Sequence, residues 1–238
     1  MEAAGTARSE VETELAVIEA AGDAGRIDLK ALGFWPVVAQ VKADPGLTAA
    51  FADRIGALDR RAFRQGVRFR VPVWVGNLIL LTGVALGAAA VAFALRRSTT
   101  PSGAGLALIV AAGIWAVSFH CPAHWIVGRL VGIRFTDYFV GGPPPPRPGL
   151  KTDYGSYLRT DPAARAWMHA SGALATKLAP FLALAFWPVS GAPWWSAAVL
   201  IAFGALQIAT DILFSVKSSD WKKFRREMAV SGASRAGN

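Results

Sequence analysis

Four stretches of the chain are apolar for longer than any soluble helix needs: Val71 to Leu95, Ala104 to Leu130, Trp167 to Trp187 and Pro193 to Val216. Each approaches the roughly 20 residues that a helix uses to cross the hydrocarbon of a bilayer. None alternates apolar and polar positions as a barrel strand must, and only helices or closed barrels satisfy their backbone in lipid. The pattern therefore predicts an all-α, polytopic membrane protein with about four transmembrane helices and the bilayer as its first partner. Ahead of them the periodicity changes. Val11, Leu15 and Ile18, then Leu47, Phe51, Ile55 and Leu58, recur at helical spacing, with Asp44-Pro45-Gly46 as a turn and helix start between them. Residues 1–66 read as a small helical cytosolic region, and residues 67–238 as a four-helix transmembrane domain.

Two segments of that domain lie outside the spans. Residues 136–165 contain Gly141-Gly142 and the run Pro143 to Pro146, which predicts an extended, stiff cytosolic loop in polyproline II conformation. After Val216 comes a basic cytosolic tail with Lys222, Lys223, Arg225 and Arg226.

Composition agrees with the pattern: 53% of residues are hydrophobic and 17% charged, a balance on the membrane side of soluble proteins. The net charge of +9 raises nucleic acid as a partner, but its position excludes that reading. Up to Arg70 basic and acidic residues balance, ten of each, so the excess lies from Val71 onward and mostly flanks the spans. Arg60, Arg61, Arg64, Arg68 and Arg70 form a basic collar before the first span, and the positive-inside tendency then orients a multi-pass cell-membrane protein with both termini cytoplasmic. The start lacks the basic and apolar regions of a secretory signal, so no cleavage is expected. The single cysteine excludes an intrachain disulfide.

Candidate chemistry sits in the second span. His120 and His124, two of the chain's three histidines, are four residues apart, which stacks both imidazoles on one helical face. Ionisable groups inside a span are costly and mark function by default. Depth estimated from the nearest charged ends sets His124, His169 and Asp211 at one level, with His120 one turn deeper on the same face. Four N and O donors from three helices suit zinc. Lys177, the only lysine inside a span, is a partner for Asp211 or a charge beside the site. Cys121 points away from His120 and reads as a small hydrophobe. Pro122 predicts a kink, since it cannot bond the Ser118 carbonyl.

The segment from Ser118 to Gly142, with His120-x-x-x-His124, the exit Gly132-Ile133-Arg134 and Gly141-Gly142, resembles the site-2 protease family of intramembrane zinc metalloproteases. The resemblance implies that His120 and His124 are zinc ligands and that a membrane-embedded peptide is the substrate. It also implies an aspartate from a later helix as third ligand. Asp211 is the preferred candidate by its position in a span, and Asp220 in Ser218-Ser219-Asp220-Trp221 the other. The family's glutamate, which activates the attacking water, is replaced by Cys121, so the general base does not carry over. Two further readings stay open: a non-catalytic subunit or scaffold that recruits another membrane subunit, and a haem-bearing electron-transfer bundle pairing His120 or His124 with His169.

Overall fold

A computed structural model gives the fold, and it describes all residues except Met1, Arg26, Arg97, 142–146, 214–218 and 237–238. The chain divides into two compact units: Met1–Val73 with Arg129–Pro162 and Val230–Asn238, and Trp74–Gly128 with Ala163–Ala229.

The first unit contains helices α1 (Glu2–Asp23), α2 (Phe34–Ala43) and α3 (Pro45–Gly66). Asp44 caps α3 by accepting from the Leu47 amide at 3.0 Å, and Pro45 opens its first turn. Val11, Leu15, Ile18, Phe34, Val41 and Ile55 close one apolar core, as the helical periodicity predicts. Residues 136–165, which the sequence reading makes an extended loop, instead fold over most of their described length. Strands β1 (Phe69–Pro72), β2 (Phe135–Gly141) and β3 (Arg147–Thr152) form an antiparallel sheet in the order β1-β2-β3. The helix α7 (Tyr154–Arg159) follows, capped by Asp153, whose carboxylate accepts from the Ser156 amide at 2.9 Å. The backbones of α3 and α7 touch at Gly56 and Gly155; a Cβ on Gly56 would lie 2.8 Å from the Gly155 nitrogen. The polyproline reading of Pro143 to Pro146 lies outside the described residues.

Among the described residues, four helices, nearly all within the second unit, are long and apolar enough to cross a membrane: α4 (Val73–Ala94), α5 (Pro101–Ser118), the α8 segment (Pro162–Leu184) continued by the short α9 (Trp187–Ser190), and α10 (Trp194–Leu213). This is the predicted all-α membrane architecture, with one boundary moved. The second apolar run is two helices, α5 and α6 (His120–Leu130), separated at Phe119, one turn before the proline expected to break it. The basic tail is also helical, as α11 (Asp220–Ala236).

Small residues let the helices approach. Gly83 and Gly87 of α4 receive Ser118 and the Trp115 ring of α5, and Trp115 Nε1 donates to the Val84 carbonyl at 3.1 Å. The core around them is mostly alanine, with Ala104, Ala111, Ala112, Ala179 and Ala183 buried. Large side chains such as Trp74, Leu78, Ile79, Leu106, Leu206 and Ile212 face outward.

Candidate metal centre

The break at Phe119 sets the site. Phe119 still donates to the Trp115 carbonyl at 2.9 Å, and Ala123 donates to the Phe119 carbonyl at 3.0 Å, so the backbone path is continuous while Pro122 withholds its own donor. α6 starts at His120, and His120 and His124 meet edge to face with ring centroids 4.8 Å apart.

One face of α8 orients both rings through Met168, Gly172 and Thr176, spaced four residues apart. His124 Nδ1 lies 2.6 Å from the Met168 carbonyl oxygen. A carbonyl can only accept, so the Nδ1 of His124 carries the hydrogen. His120 Nδ1 lies 3.0 Å from Thr176 Oγ1, whose own proton goes to the Gly172 carbonyl at 3.0 Å. Thr176 Oγ1 therefore accepts, and His120 is also protonated on Nδ1. Gly172 is required for this arrangement, because a Cβ there would fall on the His124 ring. In the neutral form of each ring Nε2 is then the unprotonated nitrogen, and both Nε2 atoms face Asp220.

The third group comes from α11. Ser219 Oγ accepts from the Lys222 amide at 3.3 Å and caps the helix, which leaves Asp220 in the first turn, where a carboxylate suits the helix dipole. Asp220 Oδ2 stands 3.4 Å from His120 Nε2 and 3.3 Å from His124 Nε2, while Oδ1 is held by Lys223 Nζ at 3.2 Å. Burial alone would raise the Asp220 pKa; when the rings are protonated, the hydrogen bond and charge of His124, with Lys223 and the charge of His120, outweigh it and hold the carboxyl below the usual carboxylate range.

Two contacts seat α11 on the bundle. Arg165 of α8 and Glu227 of α11 form an ion pair at 3.0 Å with both side chains buried, and Trp167 meets Phe224 edge to face at 5.5 Å. The face of α11 toward the bundle therefore includes Asp220, Phe224 and Glu227, two of the three charged. The sequence reading missed Glu227. Its signal was the spacing of seven residues from Asp220, which sets both on one face.

Among the described residues, the ligand atoms of His120, His124 and Asp220 form a group in which all lie within 4.8 Å of one another. A tetrahedral ion with bonds of about 2.0–2.1 Å sets its donors about 3.3–3.4 Å apart, which matches the two Asp220 separations. The donors fit a divalent cation chemically as well, since with both rings neutral two Nε2 lone pairs and a carboxylate oxygen face each other.

Asp211, preferred over Asp220 in the sequence reading, does not join this group, and Asp220 does. Asp211 pairs with Lys177 Nζ and accepts from Trp221 Nε1 at 3.0 Å. A span carboxylate needs a cation to be tolerable, and here the lysine supplies it. His169 of α8 is half-buried and outside the donor group, as is Cys121.

Fold and site together define a helical chain with membrane-length helices and, in its second unit, a three-residue cluster whose ligand atoms could hold a metal ion. In comparison with known proteins, no family model, no curated protein and no solved structure matches the chain.

Proposed function

We propose that the chain is an integral membrane protein that binds a divalent metal, zinc by its donor set, through His120, His124 and Asp220, in the manner that its resemblance to site-2 proteases implies. The observation that carries this reading is the convergence of three ligand atoms: the Nε2 atoms of two rings whose Nδ1 is occupied from behind, and one Asp220 oxygen 3.3–3.4 Å from both. With both rings neutral this arrangement repels itself until a proton or a metal cation enters it, and its three ligand atoms suit a metal. A zinc ion so held supplies a Lewis acid toward a carbonyl.

The chain's own residues bind and orient. Met168, Gly172 and Thr176 hold the tautomers, Lys223 occupies the second Asp220 oxygen, and Arg165–Glu227 keeps the third ligand against the bundle. Position 121 offers no carboxylate to accept a proton, which favours a second reading of the same site, a metal-bearing but non-hydrolytic membrane subunit. The basic collar from Arg60 to Arg70 and the outward Lys222, Arg225 and Arg226 of α11 support cytoplasmic termini in a multi-pass protein.

Metal analysis of the purified full-length protein tests the proposal. One zinc per chain is expected, falling to background in His120→Ala/His124→Ala and by at least about tenfold in affinity in Asp220→Ala, with Asp211→Asn unchanged. Metal-free wild type, or equal loss in Asp211→Asn, overturns it. A Soret band would assign the histidines to haem instead. Cleavage of a membrane-embedded peptide by the zinc-loaded protein, abolished in Asp220→Ala, separates the hydrolytic from the non-hydrolytic reading.

A further inference from the structure

The sheet of the first unit has two unlike faces. Its register sets Phe69 opposite Val140, Val71 opposite Tyr138, and these opposite Pro148 and Leu150 on β3. Paired residues in an antiparallel sheet point to the same side, so Phe69, Val71, Tyr138, Val140, Pro148 and Leu150 share one face, and no charged residue is among them. The other face is the packed one. Phe139 meets Phe63 of α3 with ring centroids 5.1 Å apart, and Lys151 pairs with the buried Asp59 of α3 at 2.5 Å. Gly149, opposite Phe139, leaves room for the Phe139 ring to lie across β3.

An antiparallel sheet with one covered face ordinarily turns polar residues to water on the other. This one does the reverse: Phe69 is 78% exposed, Val140 48% and Val71 38%. In a soluble protein such a face is a liability at an edge strand. What lies next along the chain explains it. β1 ends at Pro72 and α4, the first membrane-length helix, begins at Val73. Four residues span at most about 14 Å, so Phe69 is tethered that close to the start of a lipid-crossing helix. The headgroup region on each side of the hydrocarbon is itself about 5–8 Å deep. Sequence alternation sorts the rest: Arg68 and Arg70 point away from Phe69 and Val71, and Arg70 Nη1 donates to the Arg64 carbonyl at 2.9 Å. Basic groups at a headgroup boundary with apolar side chains below them are the signature of a segment lying in the interface.

We propose that the apolar face of the β1-β2-β3 sheet, led by Phe69 and Val140, is inserted into the interfacial layer of the bilayer, so that the protein meets lipid through a sheet as well as through its helices. This inference rests on the membrane reading of α4, and the experiment separates the two. In full-length protein carrying Cys121→Ser, single cysteines replace Phe69, Val140, Leu78 on the outer side of α4, or the exposed Val17 of α1. Each is labelled with an environment-sensitive fluorophore and reconstituted into vesicles of phosphatidylcholine and phosphatidylglycerol, with or without doxyl groups on the acyl chains. Positions 69 and 140 are expected to emit blue-shifted and to be quenched roughly two-fold or more by doxyl lipid, like position 78 and unlike position 17. Water-like emission at 69 and 140 beside a quenched position 78 overturns the sheet proposal and leaves the membrane reading intact. Blue-shifted but unquenched emission there means that protein covers the face, which also overturns it. An unquenched position 78 removes the membrane reading, and the sheet proposal with it.

Discussion

The cores of the two units differ in the size of the side chains that fill them. In the first, Val11, Leu15, Ile18, Phe34 and Ile55 are inside, Glu10, Glu12 and Glu14 of α1 and Arg61 and Arg64 of α3 are exposed, and the few buried polar groups include Asp59, Asp153 and Ser156. In the second, alanine and glycine fill the interior around His124, Arg165, Ser196 and Glu227, and leucines, isoleucines and tryptophans face out. The difference follows from the solvent. Water drives large apolar groups inward, whereas lipid tails are as apolar as leucine, so helices there associate through close packing and polar contacts. A polar cluster costs less to keep in such an interior, because it is where the second unit gathers its specific contacts.

The largest effect expected from testing that contrast is at Arg165 and Glu227. Removing one partner strands a buried charge, so Arg165→Leu or Glu227→Leu alone should destabilise the protein by about 3–5 kcal/mol, and the double variant should recover most of it. Unfolding midpoints of the three variants in one detergent measure this. Equal loss in single and double variants would mean that packing, not charge, seats α11. Zinc affinity should fall with either single variant, since Asp220 rides on the same helix.

A similar loss, about 2–5 kcal/mol, is expected for Ile55→Ala in the first unit, where the deletion leaves a cavity in an apolar core. A near-silent Ile55→Ala would remove the basis for treating this unit as water-surrounded.

Gly172→Ala is expected to act on the site with a smaller effect on the fold. The added methyl group falls on the His124 ring, which must turn off the Met168 carbonyl, and losing such an orienting contact typically costs 10–100-fold in metal affinity. Titration with zinc against a competing chelator reads it. Unchanged affinity would show that the ring finds its orientation without α8.

How much of this was legible follows from which signals are local. His120 and His124 lie one turn apart, and periodicity alone sets them on one face; the four membrane-length helices declare themselves by composition. Asp220 is about a hundred residues from the pair and stands at the edge of a basic run, so nothing local distinguishes it from a surface cap. Asp211 looked the better ligand because a carboxylate in a span needs a cation, an inference that was sound in its physics and met by Lys177. The sheet was hidden for a different reason. In Phe135-Thr136-Asp137-Tyr138-Phe139-Val140 the usual apolar-polar alternation is blurred because both faces carry aromatic or aliphatic residues, and β1 reads as arginines of a membrane collar. Glu227 sat among four basic residues, where burial is the last expectation from sequence.

The smallest effect should come from Leu78→Ala on the outer side of α4. By side-chain size it resembles Ile55→Ala, yet here the lost contacts are with lipid. A spanning helix stays in the bilayer when the bundle comes apart, so Leu78 touches acyl chains in both states and its truncation removes almost nothing from the difference between them. The change expected in lipid vesicles is within about 0.5 kcal/mol, the range of unconstrained surface positions. A loss above about 1 kcal/mol would mean that Leu78 packs on protein in the native state and leaves that contact on unfolding. That result would turn the outer side of α4 into an interface with a partner helix, and the inside-out reading of the second unit would have to be confined to its remaining helices.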